Sequence, residues 1–469
     1  MILIVVLGNY IAWIPRQNYI YPLHLDEWFG MACARQILTQ GSAVDLIDPF
    51  YGGQPWLFQF AERGFHLLLG VLHKICGLDW LLIFRYIPSF IFSMVILATY
   101  IMGKRRGFGL ESAFFISLLP TTVGILGPAF LVPVATGLLF IPLSLFIIHN
   151  INNWKGSIVL ALFILYLLSF HAYTAVAIVV ICFPYLLLNI KEDWKSSVRF
   201  GVASLLPFLL SYPFASRYVV QVLAGIFDLH AISIHVDFPW LVDSLGYVTF
   251  GMCLVGVFFI SIRPNKRIFS LLVGFIILLL FIMLYYQFHY GITGLYERGL
   301  LYALLIANII AGVGLAALRK MELNYSLFTS IPRRIVQYGQ MILAGMLIIL
   351  VVITLVPQRQ STPYYKMIDE RDYQAFCWIR EHYGGQNIKA LIDPWKGTAF
   401  SAVTGLRITS RIIMTPTEID HEIYEFLDSE CQNTTFLVDN EISLVYTRQS
   451  CSNPNLILVH DNVYIIRDD

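Results

Sequence analysis

Charged residues are scarce in this sequence. Asp, Glu, Lys and Arg make up 13% of the 469 residues, whereas 58% of the residues are hydrophobic. Soluble domains carry about 25% charged residues and about 45–50% apolar ones. The low charge, together with repeated apolar runs, excludes an ordinary soluble enzyme. It predicts a polytopic α-helical membrane protein.

Other signals are missing as well. No tract of basic residues suggests a nucleic-acid partner, and the formal net charge is only +1. The seven cysteines show no CxxC spacing, so neither a zinc site nor a redox motif is indicated. The opening residues, MILIVVLGNYIAWIP, lack the basic segment and the cleavage site of a secretory signal. We therefore expect the first apolar stretch to remain as a membrane helix.

Apolar runs of span length recur along the chain, and at about 20 residues per span they predict about eleven helices. They lie near residues 2–15, 80–102, 110–127, 129–148, 156–170, 172–190, 198–215, 241–262, 268–287, 298–318 and 335–356. Lys and Arg cluster in every second connection, at 104–106, 155, 191–199, 263–267, 319–320 and 333–334. Loops rich in Lys and Arg favour the cytoplasm. We therefore expect a multi-pass cell-membrane protein with a cytoplasmic N-terminus and an extracytoplasmic C-terminus.

The spans define two predicted domains. Residues 1–357 are expected to form the transmembrane domain, whose first external loop runs over 16–78. Residues 65–77 are too short to cross a bilayer, so this loop is expected to hold two interfacial helices, near 25–40 and 61–77. The Gly- and Pro-containing stretch DPFYGGQPW predicts a turn between them.

Residues 358–469 predict an extracytoplasmic α/β domain. A helical pattern, DERDYQAFCWIREHY, is followed by the strand-like runs IKALIDP, TFLVDN, LILVHD and VYIIRD. The sequon NTT at 433–435 and the cysteines Cys431 and Cys451 fit an external location. Whether Cys431 pairs with Cys451, or Cys33 with Cys76, stays open at this point.

An acidic pair, Asp26 and Glu27, follows the first span in YPLHLDEWFGMACARQIL. One interpretation is structural: Asp26 caps an amphipathic helix that begins here. The other is catalytic, because a carboxylate at the external surface can act as a general base or bind a divalent cation. Neighbouring helical residues point about 100° apart. We therefore expect Asp26 to be the base and Glu27 to support it.

This pattern resembles the GT-C membrane glycosyltransferases, which include protein O-mannosyltransferases, aminoarabinose transferases of lipid A and catalytic subunits of oligosaccharyltransferases. The resemblance is carried by the acidic pair and by GFHLLLGVLHKICGLDWLLIFRYIPSFIFSMVILATYIMGKRRGFG. There, a surface helix and a Gly-containing turn lead through Arg-x-x-Pro-Ser into the second span. At the level of motifs it covers residues 20–130, and beyond them it rests on span count, topology and the C-terminal domain. It implies a GT-C-like fold and transfer of a sugar from a polyprenyl (dolichyl) phosphate, with Asp26 as the catalytic carboxylate.

Such a donor requires cationic groups at the external surface to hold its phosphate. The first candidate is Arg298, beside Glu297 where an external loop enters a span, and Arg63 and Arg85 follow it. The structural alternative for Arg298 is a snorkelling side chain at a helix end.

Further side chains are candidates for support. Asp48 and Glu62 are candidates for a second carboxylate, although Asp48-Pro49 is equally typical of a turn. His171 is either a substrate-orienting residue or a satisfied interfacial histidine. The Gly-containing stretch 391–408 is a candidate for meeting donor or acceptor, although a strand, a turn and a helix explain it better.

His230, His235 and Asp237 form only a weak pattern for a metal site. The loop GILGPAFLVP has no Asp-x-Asp, and the C-terminal segment lacks the Trp-Trp-Asp-Tyr-Gly signature of oligosaccharyltransferases. Both departures count against peptide N-glycosylation and favour a monosaccharide transferase. A divalent cation, Mg or Mn, stays open as a cofactor.

The expected partners are a polyprenyl-phosphate-linked sugar donor, membrane lipids and a glycan, lipid or protein acceptor. Within the enzymes, the alternative is block transfer to protein as in oligosaccharyltransferases. A transporter or flippase of lipid-linked glycans and a non-catalytic scaffold are the alternatives from other classes. Transporters typically show internal repeats and ionisable residues at the midplane. This sequence shows no repeat, and its polar residues concentrate near the expected external surface.

Overall fold

A computed structural model describes residues 1–53, 62–151, 153–225, 238–262, 265–320, 333–413 and 415–467. The helices within this part are α1 (Ile2–Trp13), α2 (Leu25–Gln40), α3 (Arg63–Lys74), α4 (Trp80–Lys104), α5 (Gly109–Ile116), α6 (Pro133–Gly137), α7 (Phe140–Asn150), α8 (Trp154–Phe170), α9 (Ala172–Asn189), α10 (Trp194–Gly225), α11 (Phe238–Leu245), α12 (Tyr247–Ile262), α13 (Lys266–Phe288), α14 (Thr293–Lys320), α15 (Arg333–Gln360), α16 (Glu370–Tyr383), α17 (Gly397–Thr404), α18 (Glu418–Asp428) and α19 (Thr434–Asp439). The strands are β1 (Lys389–Ile392), β2 (Arg407–Ile408), β3 (Leu444–Tyr446), β4 (Leu456–His460) and β5 (Val463–Ile466).

The chain forms two compact units. Unit 1 comprises Met1–Gln17, Phe60–Gly64 and Tyr86–Pro363, and it holds most of the apolar helices. Unit 2 comprises Asn18–Gln59, Phe65–Arg85 and Tyr364–Asp469. Most of the predicted first external loop therefore folds in the same unit as the C-terminal segment.

Long apolar helices identify a polytopic membrane protein. Among the described residues, six helices are long and apolar enough to cross a bilayer: Trp80–Lys104, Pro133–Asn150, Ala172–Asn189, Lys266–Phe288, Thr293–Lys320 and Gln337–Gln360. Shorter apolar helices cover Ile2–Arg16, Trp154–Phe170 and Tyr247–Ile262. The most apolar window of α14 is 89% buried, against 17% for that of α15. α14 therefore runs through the interior of unit 1.

The expected span over 110–127 is wrong in its extent, because α5 ends at Ile116. Pro120 lacks a backbone donor and disfavours helix in the residue before it. Beyond α5 the backbone folds back, and a Cβ at Gly127 would lie 2.0 Å from the carbonyl oxygen of Pro120. Two buried side chains from elsewhere in unit 1 hold this stretch: Arg16 donates to the oxygen of Ala129 (3.1 Å), and Arg359 to that of Leu118 (3.3 Å).

The Lys- and Arg-rich loops between the helices of unit 1 contact one another at one end of these helices. The contacts that join them are Arg106–His149 (3.1 Å), Lys320–Gly107 (2.7 Å), Arg319–Glu111 (2.5 Å), Arg199–Ser157 (3.1 Å) and Lys266–Glu192. We call this end the basic face, defined by residues 104–106, 155, 191–199, 266–267 and 319–320. The contacts agree with the expectation that alternate connections share a side, and the assignment of that side to the cytoplasm stays a prediction.

Unit 2 is built on a five-stranded sheet of order β2-β1-β3-β5-β4. β1 pairs in parallel with β2 and β3, and β5 pairs antiparallel with β3 and β4. α2 packs against α17. Arg35 of α2 donates to the last carbonyl groups of α17, at Ala402 (2.6 Å) and Val403 (2.5 Å). The helix that carries the acidic pair is thereby tied to the C-terminal segment.

The strand-like runs have mixed outcomes. IKALIDP, LILVHD and VYIIRD contain β1, β4 and β5, as predicted. The strand predicted for TFLVDN is wrong, because these residues belong to α19. Asn433 caps that helix by accepting from the amide of Phe436 at 3.1 Å, and a good N-cap at this position offsets the strand preference of the apolar side chains.

Cys431 and Cys451 form a disulfide, while Cys33 is buried and Cys76 is exposed, each as a free thiol. Closing a loop of this size restricts the unfolded chain, so we expect Cys451→Ser to lower the free energy of unfolding of unit 2 by about 2–4 kcal/mol. Limited proteolysis of the C-terminal segment under a temperature ramp measures this loss. Cys76→Ser is the matched control, and equal melting of the two variants would contradict the prediction.

His66 on α3 is a buried histidine, and neither ring nitrogen has a hydrogen-bond partner among the described residues. Burial lowers its pKa to about 3. Below about pH 6.5, His66 therefore binds a proton in the unfolded chain but not in the folded chain. The free energy of unfolding falls as the pH drops below this value. At pH 5 the loss is about 2 kcal/mol relative to pH 7.

We therefore expect His66→Phe to reduce the drop in melting temperature between pH 7 and pH 5. Phe preserves the ring that packs against Phe29 and Phe65, at centroid distances of 5.9 Å each in the native protein. The exposed His421 supplies the control variant, His421→Asn. Parallel pH dependence in all three proteins would refute the role of His66.

Candidate functional site

The first turn of α2 is capped by two side chains. His24 precedes the helix in extended conformation, and its Nδ1 accepts from the amide of Asp26 at 3.1 Å. Glu27 is fully buried, and its Oε2 accepts from the amide of Leu23 at 2.6 Å. These two bonds satisfy donors at the helix N-terminus, which otherwise lack partners within the helix. Glu27 thus holds the backbone at the start of α2, and its expected support of Asp26 stays a prediction.

Asp26 is not the cap of α2. It is the second residue of the helix, and its side chain is 35% exposed, with one carboxylate oxygen 3.8 Å from Nδ1 of His24. The carboxylate of Asp26 is therefore accessible at the N-terminus of α2.

A row of aromatic rings extends from this carboxylate. The ring of His24 lies 5.7 Å from that of Tyr365, and Tyr365 meets Trp395 edge to face at 5.2 Å. Trp395 lies in the turn between β1 and α17, where Oδ1 of Asp393 accepts from its amide at 3.0 Å. We call His24, Tyr365 and Trp395 the aromatic row. It brings the Gly-containing stretch 391–408 next to the acidic pair.

An ionic cluster follows directly after Trp395. Lys396 donates to both carboxylate oxygens of the buried Asp372, at 2.9 and 3.0 Å. Tyr446 donates to the same carboxylate at 2.7 Å, and Arg448 lies 3.0 Å from it. Hydrogen bonds from Arg448 hold the pKa of Asp369 well below its usual range. The cluster fixes the start of α16 against the turn that carries Trp395.

A cavity of about 530 Å³ opens beside this cluster. Its lining consists of residues 18–21, residues 366–370, Asp372 and Lys396, all in unit 2. Tyr21 donates to Glu370 at 2.5 Å, and Tyr19 donates to the carbonyl oxygen of Ile368 at 2.8 Å. The cavity thus has tyrosine walls and charged groups of both signs, which suits a hydroxyl-bearing ligand.

In unit 1, the predicted residues His171 and Arg298 lie close together. His171 joins α8 to α9, and its Nδ1 is 2.7 Å from Oγ1 of Thr174, which is 2.7 Å from the hydroxyl of Tyr302. Tyr302 follows Arg298 by one turn of α14. Burial, and secondarily the charge of Arg298, lowers the pKa of His171 to about 3. His171 is therefore neutral, and it is a satisfied buried histidine close to Arg298.

Arg63 is placed near His171 by the close packing of the next residue, Gly64. A Cβ on Gly64 would lie 3.0 Å from Oγ of Ser169, so the start of α3 abuts the end of α8. Glu62 precedes α3, and Glu297 precedes Arg298 near the start of α14; both glutamates are partly buried.

Two further predicted residues, Arg85 and Asp48, are in unit 2. Arg85 is on α4. Oδ1 of Asp48 accepts from the amides of Phe50 (2.7 Å) and Tyr51 (3.0 Å), so it serves the turn. Among the described residues no group of three or more His, Cys, Asp or Glu side chains is placed to hold a metal ion. The weak metal pattern at 230, 235 and 237 lies outside the described residues.

Sequence reasoning missed His24, Tyr365 and the buried Arg16 and Arg359. His24 lies two residues before Asp26 and directly before the predicted helix over 25–40, so its capping role had a local signal. Trp395 was within the stretch 391–408 but had no signal of its own. The contacts of Tyr365 and Arg359 are with residues far away in sequence, and no local pattern reveals them.

No protein-family model and no curated protein matches the sequence. Solved structures do match the fold. The oligosaccharyltransferase AglB of Archaeoglobus fulgidus in its apo form aligns with a TM-score of 0.62 and 11% identity, over 95% of this chain and 69% of that one. The same protein in complex with an inhibitory peptide and a dolichol-phosphate aligns with a TM-score of 0.60 and 11% identity, over 95% and 69% of the two chains.

Two bacterial enzymes share the fold as well. The arabinofuranosyltransferase AftD from mycobacteria aligns with a TM-score of 0.59 and 14% identity, over 100% of this chain and 40% of that one. ArnT from Cupriavidus metallidurans aligns with a TM-score of 0.55 and 10% identity, over 99% and 97% of the two chains. The fold is therefore that of the GT-C glycosyltransferases, as the resemblance in sequence predicted.

Proposed function

We propose that this protein is a membrane glycosyltransferase of the GT-C type. It transfers a sugar from a polyprenyl (dolichyl) phosphate to a glycan, lipid or protein acceptor on the extracytoplasmic face. The observation that carries the proposal is the accessible carboxylate of Asp26 at the start of α2, whose capping is supplied by His24 and Glu27. The GT-C fold over nearly the whole chain supports it.

In the proposed reaction, Asp26 accepts the proton of the acceptor hydroxyl or amine. The nucleophile forms a bond to the anomeric carbon as the bond from that carbon to the phosphate oxygen breaks. The polyprenyl phosphate leaves with the bonding electrons, and cationic side chains stabilise its charge. Arg298 is our first choice for that role, with Arg63 near it and Arg85 as a further candidate.

The aromatic row is proposed to bind the acceptor. Tyr365 and Trp395 are both partly exposed, and aromatic rings beside a base provide apolar contact for the face of a sugar. The missing Asp-x-Asp and Trp-Trp-Asp-Tyr-Gly signatures favour transfer of a single sugar. A divalent cation, Mg or Mn, remains a candidate cofactor, and activity after treatment with EDTA tests it.

The deciding experiment uses the purified full chain in vesicles with labelled polyprenyl-phosphate sugars. Appearance of label in a glycan, lipid or peptide acceptor is the expected result. A carrier that crosses the bilayer without transfer would instead indicate a flippase, and neither event would indicate a scaffold.

Block transfer to protein is the second candidate function. AglB has been solved tethered with an acceptor peptide containing a sequon, and this chain shares its fold. A lipid-linked oligosaccharide offered together with a sequon peptide separates the two reactions. Transfer of the whole oligosaccharide would replace our proposal of a single sugar.

A further inference from the structure

A cavity of about 240 Å³ lies at the basic face of unit 1. Its lining comes from the connection between α4 and α5 and from α12, α13 and α14. Arg106 and Lys320 supply the charged groups of this lining, whereas Phe259, Ile260 and Val313 contribute to apolar walls. Three of the helices that end or begin here are long enough to span a bilayer. The cavity therefore combines cations with apolar surface at the ends of membrane spans.

The ammonium group of Lys320 is held in place at this cavity. Lys320 is the last residue of α14, and its Nζ donates to the carbonyl oxygen of Gly107 at 2.7 Å. Gly107 has a φ of 78°, and a Cβ there would lie 2.1 Å from that Nζ. Because glycine allows both the left-handed turn and the close approach, Lys320 is fixed beside Arg106.

The guanidinium of Arg106 retains donor capacity towards an anion. Its Nη1 lies 3.1 Å from Nδ1 of His149, while its Nη2 is buried and has no hydrogen-bond partner among the described residues. Burial, and then the positive charge of Arg267, lowers the pKa of Arg106 to about 10. It is still charged at neutral pH, and the field around it is positive.

Two carboxylates at this face are paired with other cations. Glu111 pairs with Arg319 at 2.5 Å, and Glu192 pairs with Lys266. In the part of the chain that the structure describes, no carboxylate forms an ion pair with Arg106. Arg106 is a partly buried cation, and desolvation without a counter-ion is costly, so an anionic ligand here would be stabilising.

We propose that this cavity binds the phosphate group of an anionic membrane phospholipid. The guanidinium of Arg106 and Nζ of Lys320 donate to the phosphate oxygens, as charge-assisted hydrogen bonds. The apolar walls receive the glycerol part of the lipid, which a free phosphate lacks. Basic pockets between the ends of membrane helices are suited to such headgroups. The site does not depend on the proposed glycosyl transfer.

Native mass spectrometry of the full chain in mixed micelles of phosphatidylglycerol and phosphatidylcholine tests this site. We expect the wild type to retain phosphatidylglycerol preferentially, and Arg106→Gln and Lys320→Gln each to reduce that retention by roughly tenfold, as loss of one charge-assisted hydrogen bond implies. Lys155→Gln is the matched control, because Lys155 is exposed on the basic face but does not line the cavity.

The outcomes are distinct. Equal retention of both lipids, or an equal loss in Lys155→Gln, would overturn the site. If millimolar inorganic phosphate displaces phosphatidylglycerol, the ligand of the cavity is a free phosphate and not a lipid, and the proposal is wrong. Arg106 also contacts His149, so Lys320→Gln provides an independent variant, and unchanged melting temperatures show that the variants are folded.

Discussion

Replacing Asp26 with Asn is expected to lower the rate of sugar transfer by about 10²- to 10⁴-fold, the range that a general base contributes. Asn has the size of Asp and is tolerated near a helix N-terminus, so α2 should begin as before. The amide cannot accept the proton of the acceptor. Because Asp26 is proposed to act on the acceptor, binding of the polyprenyl-phosphate sugar should remain at the wild-type level. Single-turnover transfer in vesicles, with donor binding measured separately, gives both quantities.

Two control variants separate catalysis from structure. Glu27→Gln should mainly lower the melting temperature, because Glu27 is buried and accepts from the amide of Leu23. Asp461→Asn removes an exposed carboxylate from the turn between β4 and β5 and should leave transfer unchanged. If Asp26→Asn transfers sugar as fast as wild type, Asp26 is not the base.

Replacing Arg298 with Gln is expected to raise the KM for the donor by about 10- to 100-fold, because a hydrogen bond to a charged group contributes about 1.5–3 kcal/mol. The KM for the acceptor should change little. Arg298→Lys retains the charge but not the paired donors, so it should recover part of the donor affinity. Initial rates over a series of donor concentrations resolve KM from kcat.

The matched control for Arg298 is Lys155→Gln, at the opposite end of the apolar helices of unit 1. It removes the same charge and should leave both KM values unaltered. A donor KM that does not change in Arg298→Gln would assign Arg298 to the structural role of a snorkelling residue. A fall in kcat alone would instead point to stabilisation of the leaving phosphate in the transition state.

Local patterns in the sequence predicted much of the fold. The recurrence of apolar residues predicts a helix near 25–40, and α2 has these bounds. It ends where Gly41 takes the left-handed conformation. The structural interpretation of Asp26 as the N-cap rests on the preference of Asp for that position, and it is wrong, because Asp26 is the second residue of α2. His24 takes that role here, since its ring is also held by Tyr365, a residue that no local pattern connects to it.

Contacts between distant residues explain what the sequence did not reveal. The stretch after Ile116 is apolar enough for a span, yet Pro120 and the buried Arg16 and Arg359 stabilise an irregular path. In the same way, the turn that positions Trp395 depends on two residues that are far apart in sequence. The hydroxyl of Tyr424 donates to Oδ1 of Asp393 in this turn at 3.1 Å. Such pairings emerge only when the helices and strands are packed.

The assembly of unit 2 from segments at both ends of the chain has a consequence for biosynthesis. Arg35 cannot form its hydrogen bond to Ala402 until Ala402 has been synthesised, 367 residues later. At a translation rate of about 5–20 residues per second, this delay is about 20–70 seconds. During that time Asp26 is already made, but the aromatic row and the surface of α17 against which α2 packs are not. An unfinished chain is therefore inserted into the membrane before it has a complete site, and a chain that ends before the sheet carries the carboxylate without the structure that orients it.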